Sequence, residues 1–308
     1  MIYVYGSIAR DFIFEYSGDI EIDFSIQKIN HSFLASEFRE TKGGTATNIA
    51  YNLRLLGMQC GILGIVGGDG GPYLDWLDSL GINTDSISLA AGYTSSSMLL
   101  TDRAGKQIIV FCPSVMNEVV AKCLMNFDWN MPSFVVVGAG LPEGINYLVS
   151  KCVQYSLDFL YNPGQSIHVL SREDIETAIS AAKIILVNES EYLHLKEKLG
   201  GGDEKILKNN NLLAITFGRE GSIIKNLHES VTFDAVSAPT MDPTGAGDAY
   251  CAGLVNGFIK KYPIDLIGKT ASLLSSYAVQ NHGSIEHRLS TNEFVDKFKE
   301  VYKEDLKL

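Results

Sequence analysis

The sequence predicts an α/β fold in which a mostly parallel sheet is covered by helices on both faces, with a small second β-sheet beside it. Short apolar runs alternate with helical patterns along most of the chain, which is typical of strand–helix–strand units. Residues 11–41 and 91–112 break this rhythm with alternating or aromatic-rich β character. The 308 residues suit one large domain, 1–308, that carries the small sheet as an appendage.

The core strands are predicted where short apolar runs occur. They are Ile2–Tyr5, Cys60–Val66, Phe134–Gly138, Phe159–Asn162, Ile184–Asn188 and Leu212–Phe217. Helical periodicity lies at 45–56, 72–80, 143–156, 172–182, 190–199, 203–210, 246–260, 264–280 and 291–304. Two helix starts carry a capping-box pattern, because Ser171 precedes Asp174 by three residues and Ser290 precedes Glu293 by three.

The small sheet is predicted to turn at residues 102–106, which read Asp-Arg-Ala-Gly-Lys. Ligands of open α/β sheets bind outside the carboxyl ends of the strands, so a small sheet placed there would act as a lid. An exposed β-face also favours a homodimer formed through this lid, although a monomer stays open as an alternative.

Bulk properties exclude several classes of protein. The net charge of −11 and the lack of a Lys/Arg-rich block argue against a nucleic-acid partner. No run of about 18 apolar residues predicts a membrane span, and the start MIYVYGS does not resemble a signal peptide. Five scattered cysteines are expected to be free thiols, which favours a reducing, cytoplasmic location.

The most informative segment is DPTGAGD, at residues 242–248, which leads into an apolar helical pattern. Small residues at 245–247 let an anion approach the main chain, and the first-turn N–H groups of a helix favour negative charge. Asp248 would repel a phosphate at that point, so its carboxylate suggests proton abstraction. An ordinary first-turn acid is the alternative that the segment alone leaves open.

Two more glycine segments precede it. The segment KGGTATN, at 42–48, has paired glycines that permit close approach to a ligand, and Asn48 offers a donor and an acceptor. A glycine-rich loop before a helix would explain this segment equally well. The segment GIVGGDG, at 64–70, is predicted to be mostly structural.

Taken in order, these motifs resemble the ribokinase-like (PfkB) family of sugar and nucleoside kinases over nearly the whole chain. The set is KGGTATN at 42–48, GIVGGDG at 64–70, NESE at 188–191, TFGREG at 216–221 and DPTGAGD at 242–248. The resemblance implies a three-layer αβα, Rossmann-like core and ATP-dependent phosphoryl transfer to a hydroxyl group. It also implies that Asp248 is the catalytic base, with an anion hole formed by the N–H groups of Gly245, Ala246 and Gly247.

The resemblance further implies the nucleotide and metal contacts. Asn188 and Glu191 match a pattern that holds Mg²⁺ and phosphates largely through water, and Mg²⁺ needs few protein carboxylates. The alternative for Glu191 is a first-turn acid after an N-cap at Ser190. The nucleotide-binding turn is matched by Thr216, Gly218 and Gly221, for which a turn without a ligand is the alternative.

A candidate monovalent cation site, for an ion such as K⁺, is implied beside the anion hole. Asp242 and Thr244 match part of that site, and backbone carbonyls near Val279, Gly283 and Ser284 would complete it. The alternative is that Asp242 only hydrogen-bonds its own loop.

The substrate contacts follow from a similarity to bacterial adenosine kinases of this family, carried by residues 32–34, KGGTATNIA and FCPSVM at 111–116. It implies that Phe111 stacks on a base, that Gln165 reaches the nucleoside, and that the ribose is held by Ser7, Asp11, Ser32, Gly44 and Asn48. Met98 stands where those enzymes have a second aromatic, and methionine specifies a ring face less well.

The predicted function is transfer of the γ-phosphoryl group of Mg·ATP to a primary hydroxyl of a nucleoside, with adenosine favoured. A kinase acting on ribose, fructose or a related free sugar is the alternative within the family. A non-catalytic binding relative is disfavoured, because Gly245, Gly247 and Asp248 are intact.

Overall fold

A nine-stranded sheet forms the centre of the protein, seen in a computed structural model that describes residues 1–20, 32–104, 106–208 and 211–308. Its strands are β1 (Ile2–Tyr5), β4 (Cys60–Val66), β5 (Ile87–Leu89), β8 (Phe134–Val137), β9 (Phe159–Tyr161), β10 (Ile184–Asn188), β11 (Leu212–Thr216), β12 (Ser222–Lys225) and β13 (Ser230–Phe233). The order across the sheet is β13-β12-β11-β10-β9-β8-β1-β4-β5.

Seven of these strands run parallel, and β12 and β13 are added antiparallel at one edge. The first strand, β1, lies between β4 and β8 and pairs with both. All seven residues of β4, CGILGIV, are buried. Continuous apolar strands of this kind are typical of a parallel sheet that has both faces covered.

Helices cover both faces, as the periodicity predicts. They are α1 (Thr45–Leu55), α2 (Gly71–Ser79), α3 (Val119–Lys122), α4 (Pro142–Gln154), α5 (Arg172–Ala181), α6 (Glu189–Leu199), α7 (Ala246–Ile259), α8 (Ile264–Ala278) and α9 (Thr291–Tyr302). Alternate residues of β1 enter two separate cores: Val4 packs with α1, α7 and α8, whereas Tyr5 packs with α4 and α5. The three-layer αβα prediction is therefore confirmed.

A separate four-stranded sheet, here called the small sheet, has the order β3-β2-β6-β7. Its strands are β2 (Ala9–Tyr16), β3 (Ala35–Gly43), β6 (Ser95–Asp102) and β7 (Gln107–Cys112). The predicted turn at 102–106 closes the β6–β7 hairpin, because the Asp102 carboxylate accepts hydrogen bonds from the backbone N–H groups of Ala104 and Lys106.

The observed elements match the predicted bounds closely, with one wrong helix, one missed short helix, α3, and three missed strands. The predicted helix at 203–210 is wrong over its described residues, which hold a 3₁₀ turn at Asp203–Lys205. Side chains there bond the local backbone instead: Glu204 accepts from the Gly202 N–H and Asn211 from the Lys208 N–H. Both predicted capping boxes are confirmed, whereas β5, β12 and β13 were not predicted. Within the described ranges, no helix combines the length and the apolar character needed to cross a membrane.

Candidate active site

The predicted site residues meet at the carboxyl edge of the sheet. Asn188 ends β10 directly beside Thr216, which ends β11, and the two are partners in the parallel register. Ser7 follows the end of β1, and the N-termini of α1 and α7 open onto the same region. This is the edge at which open α/β sheets bind their ligands.

Asp248 is joined to Asn48 by a hydrogen bond that links residues 200 positions apart. The Asn48 Nδ2 group donates to Asp248 Oδ2 at 2.7 Å. The other end of the same amide, Oδ1, accepts from the buried Ser284 hydroxyl at 2.9 Å. The orientation of the amide is thereby set by a partner at each end, and the first turns of α1 and α7 are held together.

Burial raises the pKa of Asp248 to about 7. The hydrogen bond from Asn48 lowers this pKa, whereas the negative charges of Asp11 and Glu191 raise it further. A carboxyl group with a pKa near neutrality is a much stronger base than an exposed aspartate. Asp248 can therefore hold or release a proton near neutral pH.

The loop before α7 takes the shape that its glycines permit. Gly245 has φ +83°, and a Cβ there would lie 2.6 Å from the Cβ of Ser284. The space around Gly247 is open, since nothing would lie within 4 Å of a Cβ there. The Ala246 N–H donates to the Pro243 carbonyl at 3.2 Å, so this predicted anion-hole donor already has a partner.

Asp242 stabilises this loop from within. Its Oδ1 accepts from the Thr244 N–H at 2.9 Å, and its Oδ2 accepts from the Gly283 N–H at 3.0 Å. Both carboxylate oxygens are thus engaged by the backbone, which is the alternative that the sequence left open. Over the described residues, no three His, Cys, Asp or Glu side chains gather into a group that could hold a metal ion.

Asp11 lies in a row of residues on one face of the small sheet. The register aligns Asp11 with Thr41, with Ser97 and, through Ser97, with Phe111. A Cβ on Gly43 would lie 1.9 Å from Asp11 Oδ2, so glycine is needed there. Burial raises the pKa of Asp11 to about 6, the Ser97 hydrogen bond lowers it, and the negative charge of Asp242 raises it.

Met98 is on the opposite face, so the prediction that it contacts the same base as Phe111 is wrong. It pairs with Phe12 and Val110, one position along from the row of Asp11 and Phe111. Successive side chains of a strand point to opposite faces. Met98 is accordingly 54% exposed, and Val110 beside it is 58% exposed.

Of the other predicted substrate residues, Gly44 and Ser7 lie at the start of α1, whereas two others lie at the surface. Gly44 has φ +94°, and a Cβ there would lie 2.4 Å from the Ser7 carbonyl oxygen. Ser7 accepts from the Thr45 N–H through Oγ at 3.1 Å, which ties the end of β1 to the start of α1. Ser32 and Gln165 are both exposed.

Asn188 and Glu191 form a capping box at the start of α6. The Asn188 side chain accepts from the Glu191 N–H at 2.9 Å, and Glu191 Oε2 accepts from the Asn188 N–H at 3.0 Å. The N-cap is therefore Asn188, and the alternative that placed it at Ser190 is wrong. Burial raises the pKa of Glu191, and the bonds from Asn188 lower it.

The turn after β11 depends on two glycines. The Phe217 N–H donates to the Gly221 carbonyl at 2.8 Å. Gly221 has φ +92°, and a Cβ there would lie 2.0 Å from the Phe233 carbonyl oxygen. Gly218, at φ +61°, has open space around its Cα, so it leaves room for a ligand to approach the backbone.

The side-chain contacts of three residues in this region were not predicted, although Ser284 was expected near the cation site through its carbonyl. The Ser97 and Ser284 side chains contact Asp11 and Asn48 respectively, and His287 Nε2 bonds Asn52 Oδ1 at 2.9 Å. No sequence signal marks these pairs, since the residues of each are 86 or more positions apart.

Comparison with known proteins gives one family. The sequence model of one protein family, described as pfkB family carbohydrate kinase, matches residues 1–292. A nucleoside kinase of Methanothermobacter thermautotrophicus is 26% identical over 283 residues, which cover 87% of this chain and 88% of that protein. A ribokinase of Lactococcus lactis is 24% identical over 305 residues, which cover 97% of each chain.

Solved structures of another nucleoside kinase are similar to this chain over nearly its whole length. The nucleoside kinase of Burkholderia thailandensis in complex with inosine is 28% identical and has a TM-score of 0.91, covering 99% of this chain and 100% of that one. The same protein in complex with ADP and inosine has a TM-score of 0.89. Its ligand-free form has a TM-score of 0.82, covering 97% of this chain.

The raised pKa of Asp248 predicts a pH-dependent change in stability. Between the unfolded value of about 3.9 and the folded value of about 7, the folded chain binds more protons, so the free energy of unfolding falls as pH rises through this range. Asp248→Asn removes this titration. The variant should therefore gain roughly 1–3 kcal/mol relative to the parent between pH 4 and pH 8, as measured by urea denaturation. A difference that does not change with pH contradicts the prediction.

Proposed function

The chain belongs to the pfkB family of carbohydrate kinases, and we propose that within this family it is a nucleoside kinase. It transfers the γ-phosphoryl group of Mg·ATP to a primary hydroxyl of a ribose-containing nucleoside, with a purine nucleoside such as adenosine as the expected acceptor. The observation that carries this proposal is Asp248, a base held by Asn48 at the start of α7 and beside the glycine loop.

Asp248 acts as the base for the acceptor hydroxyl. An alcohol is too weak an acid for a carboxylate to ionise it in advance, so the proton moves as the phosphoryl group arrives in a loose, in-line transfer. A pKa of about 7 suits this role, because about half of the Asp248 carboxyl groups are ionised at neutral pH and the carboxylate is basic enough to take the proton.

The backbone N–H groups of Gly245, Ala246 and Gly247 stabilise the charge that develops on the transferred phosphoryl group. They lie at the N-terminus of α7, where the helix dipole favours negative charge. The Ala246 N–H must leave its 3.2 Å bond to Pro243 in order to take part. That bond is long and is easily exchanged for a bond to a charged oxygen.

The nucleotide is expected at the adjoining strand ends. Gly218 and Gly221 let ATP approach the backbone beside Thr216, and the Asn188–Glu191 pair faces the phosphates. Glu191 accepts hydrogen bonds from Asn188 and is the one carboxylate of this pair. A Mg²⁺ ion keeps most of its water ligands and needs few protein carboxylates, so Glu191 fits such an ion. When bound, Mg²⁺ neutralises phosphate charge.

A monovalent cation fits less well. Both oxygens of Asp242 accept backbone hydrogen bonds, one of them from Thr244. Asp242 is thus already engaged in its own loop, which leaves fewer lone pairs of this carboxylate for a K⁺ ion.

The small sheet supplies the acceptor site and is proposed to act as a lid. Asp11 and Asn48 bind the ribose hydroxyls beside Gly44 and Ser7, and Phe111 stacks on the base. Ser32 and Gln165 are expected to reach the nucleoside when the lid closes.

A nucleoside is preferred to a free sugar because of Phe111 and because nucleoside kinases match at 26–28% identity over most of the chain. The alternative is a kinase for ribose, fructose or a related sugar, which the similarity to a ribokinase supports. The reaction is placed in the cytoplasm, in keeping with five free cysteines.

A homodimer is proposed through the outer face of the small sheet. This face is defined by Phe12, Phe38, Met98 and Val110, of which Phe38, Met98 and Val110 are each more than half exposed. Exposed apolar side chains in one continuous patch favour association with a second copy.

Asp248→Asn should lower turnover by roughly 10²–10⁴-fold while substrate still binds, because the base is lost and the shape is kept. The measurement is ADP release with Mg·ATP. Asp265→Asn is the matched control, since Asp265 is also a first-turn acid but lies on α8, and it should keep full turnover. Wild-type turnover in Asp248→Asn would exclude the assigned base.

The same assay identifies the acceptor when adenosine, inosine, other nucleosides, ribose, fructose and fructose phosphates are supplied separately. Turnover with nucleosides supports the proposal. Turnover with free sugars only would establish the alternative and remove the role of Phe111 as a stacking residue.

Phe111→Ala should raise KM for a nucleoside by about 5–100-fold and leave KM for ribose nearly unchanged, because stacking contributes about 1–3 kcal/mol per base. Met98→Ala is the contrast, since Met98 is on the other face of the same sheet. Its KM for the nucleoside should change less than about twofold. Equal effects of the two variants would contradict the assignment of faces.

Phe38→Glu should convert the dimer into a monomer, because it places a charge in the apolar outer face. Analytical ultracentrifugation at micromolar concentration measures the mass. Val169→Glu is the control, because Val169 is 70% exposed but lies outside the small sheet. A monomeric parent protein would rule out this interface.

A further inference from the structure

We infer that Ser284 is a positioning residue for Asp248: it holds the Asn48 amide so that Asn48 meets the carboxyl group only as a hydrogen-bond donor. This inference rests on the proposed function, in which Asp248 is the base. Ser284 reaches Asp248 only through Asn48, so it has no part in the chemistry itself.

The two ends of the Asn48 side chain differ in their hydrogen-bonding chemistry. A primary amide has a donor end and an acceptor end, and rotation by half a turn exchanges them. In this structure Nδ2 faces Asp248 Oδ2 at 2.7 Å and Oδ1 faces the Ser284 hydroxyl at 2.9 Å. A donating amide stabilises the ionised carboxylate, whereas an accepting amide stabilises the protonated acid.

Ser284 makes the second orientation costly. If the amide rotated, its Oδ1 would accept from a protonated Asp248 and its Nδ2 would donate to the Ser284 oxygen, so the Ser284 proton would need another acceptor. Ser284 is 1% exposed, so water does not readily replace the lost partner. Without the hydroxyl, Asn48 is free to pair with either form of Asp248, and the protonated form becomes easier to reach.

The position of Ser284 is itself well defined. It is in close contact with Gly245, and the preceding Gly283 N–H donates to Asp242. Three residues further along, His287 bonds Asn52, which lies one turn after Asn48 on α1. The segment 283–287 is thus attached to α1 through Asn48, Tyr51 and Asn52, and to the anion-hole loop through Asp242 and Gly245.

Other charged groups also face Asp248. Asp11 from β2 and Glu191 from α6 both raise its pKa through their negative charges, and Cys251 lies one turn along α7. The hydrogen bond from Asn48 opposes these effects, because it favours the ionised form of Asp248 and lowers its pKa. A change in the orientation of this amide therefore appears directly in the titration of Asp248.

The test is the pH profile of kcat/KM for Ser284→Ala between pH 5.5 and 9. The apparent pKa of the acidic limb should rise by about 0.5–1 pH unit. As a result, kcat/KM should fall about 3–10-fold at pH 6 and less than about twofold at pH 9. Ser276→Ala is the matched control, because Ser276 is also a buried serine but donates to a backbone carbonyl within α8. Its profile should match that of the parent enzyme.

A double-mutant cycle checks the route through Asn48. In the Asn48→Ala background, Ser284→Ala should add no further shift of the acidic limb. Ser284→Cys keeps much of the side-chain volume with a weaker donor, so it should give an intermediate shift. A parental pH profile in Ser284→Ala, or an equal loss of activity at every pH, would overturn the inference.

NMR titration of the Asp248 carboxyl carbon separates this inference from the proposed function. A higher Asp248 pKa in Ser284→Ala than in the parent supports the positioning role even if no kinase activity is found. An unchanged pKa, together with an inactive Asp248→Asn variant, leaves the proposed function standing and removes the inference.

Discussion

The hydrogen bond from Asn48 to Asp248 is the contact on which the arrangement of the site depends. It joins the starts of α1 and α7, which come from opposite ends of the chain. Each helix begins after a glycine with positive φ, Gly44 or Gly245, so both N-termini can approach without a side chain in the way. Because α1 follows directly from the small sheet and α7 lies in the main core, the bond holds the small sheet and the glycine loop before α7 at a defined separation.

This arrangement is electrostatically costly. Asp11 and Asp248 are carboxyl groups whose pKa values burial raises to about 6 and about 7, and each also feels other negative charges nearby. A fold selected for stability alone would not keep both acids here. Under the proposed function the cost has a use, because desolvation makes Asp248 a stronger base and a buried carboxylate at Asp11 would discriminate between acceptors by their hydroxyl groups.

Much of the fold could be predicted because its signals are local. The bounds of β1, β4 and β10 follow from apolar runs, and the caps at Ser171 and Ser290 follow from a three-residue spacing. The antiparallel strands β12 and β13 are short and partly exposed, so they lack such a signal. The face on which Met98 lies depends on strand register, since a shift of one residue moves a side chain to the other face. The pairing of Ser284 with Asn48 spans 236 positions and leaves no local trace.

The two faces of the small sheet explain how one set of strands can serve two purposes. The row of Asp11, Ser97 and Phe111 faces the site, whereas the alternate row of Phe12, Met98 and Val110 faces outward. Both rows are carried by β2, β6 and β7, so any contact that shifts these strands as a body shifts both rows together. Rotation of one side chain, in contrast, stays on its own face. If the outer face associates and the inner row binds the acceptor, as proposed, association can alter the inner row only through movement of the whole sheet, in which Asp11 moves with Phe111.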